Sequence, residues 1–161
     1  MGNFEKPTPW ARIRGVAAVE MAFVLLPLIL MIFGITELGR AIYSYNTLDK
    51  AVRDAARHLS QHGPGDPTIA AEAISLAVCG KTACTLADAP LAPGLTASNV
   101  YLCDAVAAPA PCTSHAGVST GLGSLNLVTV GIKNYAYNSV VQFVVPNMTF
   151  NNIAVTMRAQ L

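Results

Sequence analysis

One carboxylate inside a membrane-length apolar run constrains this chain more than any other feature. The run reads Val16-Ala-Ala-Val-Glu20-Met-Ala-Phe-Val-Leu-Leu-Pro27-Leu-Ile-Leu-Met-Ile-Phe-Gly-Ile35, and Glu20 is its one ionisable side chain. About twenty helical residues reach roughly 30 Å, the thickness of bilayer hydrocarbon. A carboxylate within such a segment costs on the order of 3 kcal/mol on insertion scales. A plain anchor has no reason to carry that cost, whereas an anchor that later meets a cationic partner in the membrane does. Lys6, Arg12 and Arg14 precede the run against Glu5. By the positive-inside rule that end stays cytoplasmic and the chain after Ile35 is exported.

The run is too long for an ordinary secretory signal and no A-x-A site follows it. The chain continues Thr36-Glu37-Leu38-Gly39-Arg40. The bland reading is an uncleaved signal anchor. Only 12% of the 161 residues are charged and the basic ones form no stripe, which argues against nucleic acid. Cys79, Cys84, Cys103 and Cys112 all lie on the exported side. An even count there reads as two disulfides with three connectivities, and short loops favour the local pairs Cys79–Cys84 and Cys103–Cys112. A zinc site is the competing reading. The C-x4-C and C-x8-C spacings fit it poorly, and no histidine stands at ligand spacing, so no metal is expected.

Residues 1–15 read as a short polar cytoplasmic leader without a fold of its own. A single helix is expected from Val16 to near Gln61, because Leu38, Ile42, Tyr45, Leu48, Val52, Ala55, Ala56 and Leu59 continue the helical spacing. Its first part, 16–35, is apolar all round and crosses the membrane, and its second part, 36–62, is amphipathic. Asp49/Arg53 and Asp54/His58 stand four apart with the acid first. Pro27 removes a backbone donor within the apolar half and is expected to kink or loosen it. The string Gly63-Pro-Gly-Asp-Pro67 breaks the helix.

Residues 63–161 form the exported domain. A second helix is expected from an Asp66 cap with Pro67 in its first turn to near Gly80. Residues 85–97 and 104–124 read as loops, the latter disulfide-tied. Strands are expected at Asn99–Cys103, Leu125–Tyr135 and Asn151–Gln160. In the second, Val128, Val130 and Ile132 alternate with Thr129, Gly131 and Lys133; in the third, Ile153, Val155, Met157 and Ala159 share a side. The connection Val140-Val-Gln-Phe-Val-Val145-Pro146 fits a core segment, a short helix or an exposed contact patch equally well. The layout is α+β: a long N-terminal helix whose distal half packs on a small antiparallel sheet.

No catalytic constellation stands out and no cofactor is implied. His58 and His62 are four apart, a spacing that can bind metal, but they read more simply as solvated residues at a helix C-terminus. No G-x-S-x-G elbow is present, and Gly121-Leu-Gly123-Ser124 lacks the other residues of a phosphate loop. Asp66, Glu72, Asp88 and Asp104 are scattered through a helix start and loops. Asn147-Met-Thr149 matches a glycosylation sequon, relevant only to a eukaryotic secretory route.

These residues resemble a type IV prepilin-class protein, and more narrowly the TadE-like family of the tight-adherence (Flp) pilus. The likeness lies in Arg14-Gly-Val-Ala-Ala-Val-Glu20-Met-Ala-Phe-Val-Leu-Leu-Pro27. Phe33-Gly-Ile-Thr-Glu37-Leu-Gly-Arg40-Ala, Ala51-Val-Arg-Asp-Ala-Ala-Arg57 and Ile153-Ala-Val-Thr-Met157 reinforce it. Residues 62–124 match nothing in that pattern.

The resemblance implies a reaction done to this chain rather than by it. A prepilin peptidase would cut between Gly15 and Val16 on the cytoplasmic face, where a small residue leaves room to reach the backbone. The new Val16 ammonium of a neighbouring subunit would then pair with Glu20, strongly so in low dielectric. Implied partners are the peptidase, other pilin or pseudopilin subunits, the inner-membrane assembly machinery and the lipid bilayer, but no nucleic acid. Implied localisation is single-pass in a bacterial inner membrane, with the C-terminal domain periplasmic or carried into a fibre. Major Flp pilins are very short, so a chain with a further domain fits a minor pilin or pseudopilin acting in assembly, initiation or tip formation. The alternative is an unprocessed anchor presenting a periplasmic binding or scaffolding domain.

Overall fold

The computed structural model describes residues 9–85 and 87–160, with side chains from Val16 onward. Helix α1 runs unbroken from Pro9 to Ser60, 52 residues or about 80 Å of helix. It starts at Pro9 rather than Val16, so residues 9–15 of the expected leader continue the helix. Pro9 fits the first turn, where its missing N–H costs nothing, and the next proline is Pro27. Pro27 lies inside the helix, which is continuous through it. Residues 1–8 of the expected leader fall outside the described residues.

Helix α2 spans Pro67–Cys79. Asp66 caps it by accepting from the Thr68 N–H at 2.8 Å, and Gly80 closes it in the left-handed conformation (φ 75°). Three longer strands follow: β1 (Val100–Cys103), entered through a 3-10 turn at Ala97–Asn99, then β4 (Leu127–Tyr137) and β5 (Met148–Arg158). Between them β2 (Val118–Ser119) and β3 (Ser124–Leu125) make a small separate hairpin that falls in the expected 104–124 loop and takes Leu125 from the expected second strand, which starts instead at Leu127. The main sheet is antiparallel in the order β1-β4-β5, with Val100 opposite Ile132 and Val128 opposite Met157. Cys79 is bonded to Cys84 and Cys103 to Cys112.

The core lies between the distal half of α1, α2 and one face of the sheet. Leu48, Val52, Ala55, Ala56 and Leu59 of α1 meet Ala73 and Ala77 of α2 and Val100, Val128, Val130, Ile132 and Ile153 of the sheet. The alanines let the two helices approach closely. The other face of β4 is also covered, so Thr129 and Gly131 are buried where simple alternation would leave them outside. Tyr101 lies across Gly131, its hydroxyl donating to Asn152 Oδ1 at 2.7 Å. His115 Nε2 lies 2.7 Å from Thr129 Oγ1.

Alternation on β4 changes phase at Asn134, which has a φ of 53°. Before it Val128, Val130 and Ile132 face the core; after it Tyr135 and Tyr137 do. Asparagine tolerates this left-handed conformation better than most side chains. The phase change keeps Tyr137 turned toward α1 at the far end of the hairpin, and β4 runs two residues beyond the expected Tyr135.

Candidate functional site

The expected site is the head of the apolar segment. Gly15 lies within the backbone of α1, so a protease must unwind the helix to reach the Gly15–Val16 bond. Glycine lowers that cost, since it is about 1 kcal/mol less favourable than alanine in a helix. Val16 and Glu20 are one turn apart on one side of α1, and both are exposed. Every residue from Val16 to Phe33 is exposed, and the helix is long and apolar enough to cross a membrane.

A second site, absent from the expected set, is formed by Glu37, half a turn past Ile35. Glu37 is only 2% exposed. Its Oε1 accepts from the Tyr137 hydroxyl at 2.7 Å, from Arg40 Nη1 at 3.1 Å and from the Val140 N–H at 3.3 Å. Its Oε2 lies 3.0 Å from Arg40 Nη1, completing an ion pair within the helix. The Arg40 guanidinium carbon stands 5.7 Å from the centre of the Tyr137 ring. The Tyr137 hydrogen bond holds the Glu37 carboxyl below its ordinary value of 4.5, outweighing the upward push of burial, with further help from Val140 and Arg40. Burial, followed by the bond to Glu37, pushes the Tyr137 phenol up. The arrangement is a clamp: a carboxylate on α1 gathers the end of β4 and the Val140 amide of the β4–β5 connection.

That connection resolves the ambiguity of residues 140–146. It is a single helical turn, with the Val144 and Val145 N–H groups both donating to the Val141 carbonyl at 3.0 Å. Val140 and Phe143 are exposed, and Val144 packs beside Gly34 of α1. In the sequence Glu37 and Arg40 stand out only as motif residues. Their i,i+3 spacing directly after the apolar run is a usable signal; the partners a hundred positions later are not.

The remaining polar residues serve the fold. His58 is not simply solvated, as expected, nor paired with Asp54: its Nε2 lies 2.9 Å from Glu72 Oε2 on α2. His62 Nδ1 lies 2.8 Å from the His58 carbonyl. Arg53 and Asp49 form the expected helical pair at 2.8 Å. Asp88 is bound by Lys81 and by the Thr85 N–H and hydroxyl, which hold its carboxyl well below the usual range. Asp104 accepts from the N–H groups of Gly65, Val106 and Ala107 at 2.9, 2.8 and 2.6 Å. Among the described residues no three His, Cys, Asp or Glu side chains gather as a metal site. The cleft beside the clamp, lined by Arg40, Ser44, Pro93, Tyr135 and Tyr137, has a volume of about 140 Å³. Small-molecule sites usually begin near roughly 300 Å³.

No curated protein and no solved structure matches the chain. A family model does, over residues 15–57, and its description is TadE-like protein. The matched segment begins at the Gly15–Val16 bond, contains Glu20 and Glu37, and ends inside the part of α1 that forms the core. Tyr137 and Val140 lie outside it, so the clamp ties the matched segment to the rest of the chain. Over residues 15–57, at the head of its α+β fold, this chain is thus similar to TadE-like proteins.

Proposed function

We propose that the chain is a pilin-like subunit of the tight-adherence (Flp) pilus system, a minor pilin or pseudopilin rather than a catalyst. It enters the inner membrane with its N-terminus cytoplasmic, and a prepilin peptidase cuts Gly15–Val16. The freed Val16 ammonium of one subunit then neutralises Glu20 of another in low dielectric. The apolar half of α1 packs against other subunits, while the sheet domain makes contacts outside the membrane during initiation, tip formation or assembly.

One observation carries this reading: the TadE-like match opens at Gly15 and includes a carboxylate four residues past Val16, on the exposed apolar half of α1. An ion kept in lipid is costly unless it is paired, and a newly made amine is the partner this position calls for. The test is intact mass on protein from its native host. A mature chain starting at Val16 is expected; a chain that retains residues 1–15 in cells with the peptidase overturns the proposal in favour of an unprocessed anchor. Glu20→Ala is expected to leave membrane insertion intact and abolish cross-linking to partner subunits.

A further inference from the structure

We infer that the β4–β5 connection, Val140 to Val145, is a second membrane-contacting element, seated among the lipid chains and headgroups where α1 leaves the bilayer. The inference rests on reading residues 16–35 as a membrane span. Position argues for it first. The Val140 amide is fixed to Glu37, two residues or about 3 Å of helix rise past Ile35. Val144 packs beside Gly34, inside the last turn of the span. The clamp therefore holds the connection at the level where hydrocarbon gives way to headgroups.

Composition agrees with position. From Asn138 to Met148 the chain has no charged residue. Val140 is 75% and Phe143 79% exposed within the chain itself, an apolar display continuous with the bare surface of the span. Backbone that approaches lipid must satisfy its own polar groups, and this turn largely does. The Ser139 N–H donates to Asn147 Oδ1, Val140 to Glu37, Val141 to Ser139 Oγ, and Val144 and Val145 to the Val141 carbonyl. Pro146 has no N–H to satisfy. Arg40 stands on the domain side of the clamp with its guanidinium partly exposed, as a cation reaching toward headgroups would.

The experiment places single tryptophans in the full chain reconstituted in phosphatidylcholine liposomes. Trp10 is the chain's one tryptophan, so a Trp10→Phe background is silent. Phe143→Trp reports on the connection, Phe23→Trp on the span, and Leu122→Trp on fully exposed surface. The expected result is emission from position 143 shifted to shorter wavelength than that from position 122. It should be quenched by lipids brominated near the carbonyl end of the acyl chain, while position 23 is quenched by deep bromines. If position 23 is quenched and position 143 behaves like position 122, the connection lies in water and the inference fails alone. If position 23 is not quenched, the span reading fails and takes the inference with it. A blue shift at position 143 that grows with protein-to-lipid ratio and resists bromine marks a contact between copies, which also overturns it.

Discussion

Glu20 and Glu37 lie on the same helix, and their surroundings differ in every respect. Glu20 is exposed on apolar helix surface. Glu37 is enclosed, with its acceptor sites filled by a phenol, a guanidinium and an amide. A carboxyl lowered in the folded state stabilises fully above its unfolded pKa, and that stabilisation fades as pH falls through the lower, folded pKa. Glu37, Asp88 and Asp104 are all lowered. These three carboxyls are therefore expected to contribute constant stability from neutral pH down to the ordinary carboxylate range, and progressively less below it. Glu37→Gln should be less stable at neutral pH, with its deficit from the parent shrinking on acidification below about 4.5, the ordinary value for glutamate. Thermal unfolding in micelles across pH reads this directly. A deficit that stays constant through that range would mean the Glu37 charge contributes nothing. Glu20 could be singled out from sequence because an acid in an apolar run has no local excuse. Glu37 could not be singled out as firmly, because its decisive partner, Tyr137, is a hundred residues away.

At the scale of elements, those with local punctuation were readable and those shaped by long-range contact were not. Asp66-Pro67 and Gly80 bracket α2 because capping is settled within a turn. The distal half of α1 was legible in its apolar spacing, and β5 in its alternation. β4 was legible as a strand to Tyr135, but its alternation holds only to Lys133. Its phase change at Asn134 depends on a single positive φ, and burial of its outer face depends on Tyr101 from a strand thirty residues earlier. The turn at 141–145 was ambiguous because its apolar residues face neither a core nor a regular surface. Gly131 is the position where strand identity matters most. A Cβ there would run into the Tyr101 ring, which is held by Asn152 and by its neighbours on β1. Gly131→Ala is expected to cost about 1–3 kcal/mol, the usual range for overpacking. Chemical denaturation measures it, and a neutral result would show that Tyr101 can move aside freely.

At the scale of the whole molecule, α1 does two jobs along its length. Its outer half supplies the largest share of the core, and its inner half supplies none among the described residues from Val16 on. Leu48 is fully buried between α2 and the sheet, whereas Leu26 is exposed. Leu48→Ala is expected to lower domain stability by about 2–5 kcal/mol, and Leu26→Ala to leave it within about 0.5 kcal/mol. Calorimetry on the full chain in micelles compares them. Equal losses would mean the two halves are not mechanically distinct.

An unbroken helix of 52 residues that passes from bare apolar surface into a packed core has a directional consequence. The sheet is pinned to it by the Glu37 clamp at one end and by the Leu48–Leu59 stripe along its side, leaving little room to swivel. Whatever grips the inner half of the helix and sets its tilt therefore also aims the outer face of the sheet. Orientation travels between the two ends as in a lever, without any hinge having to open.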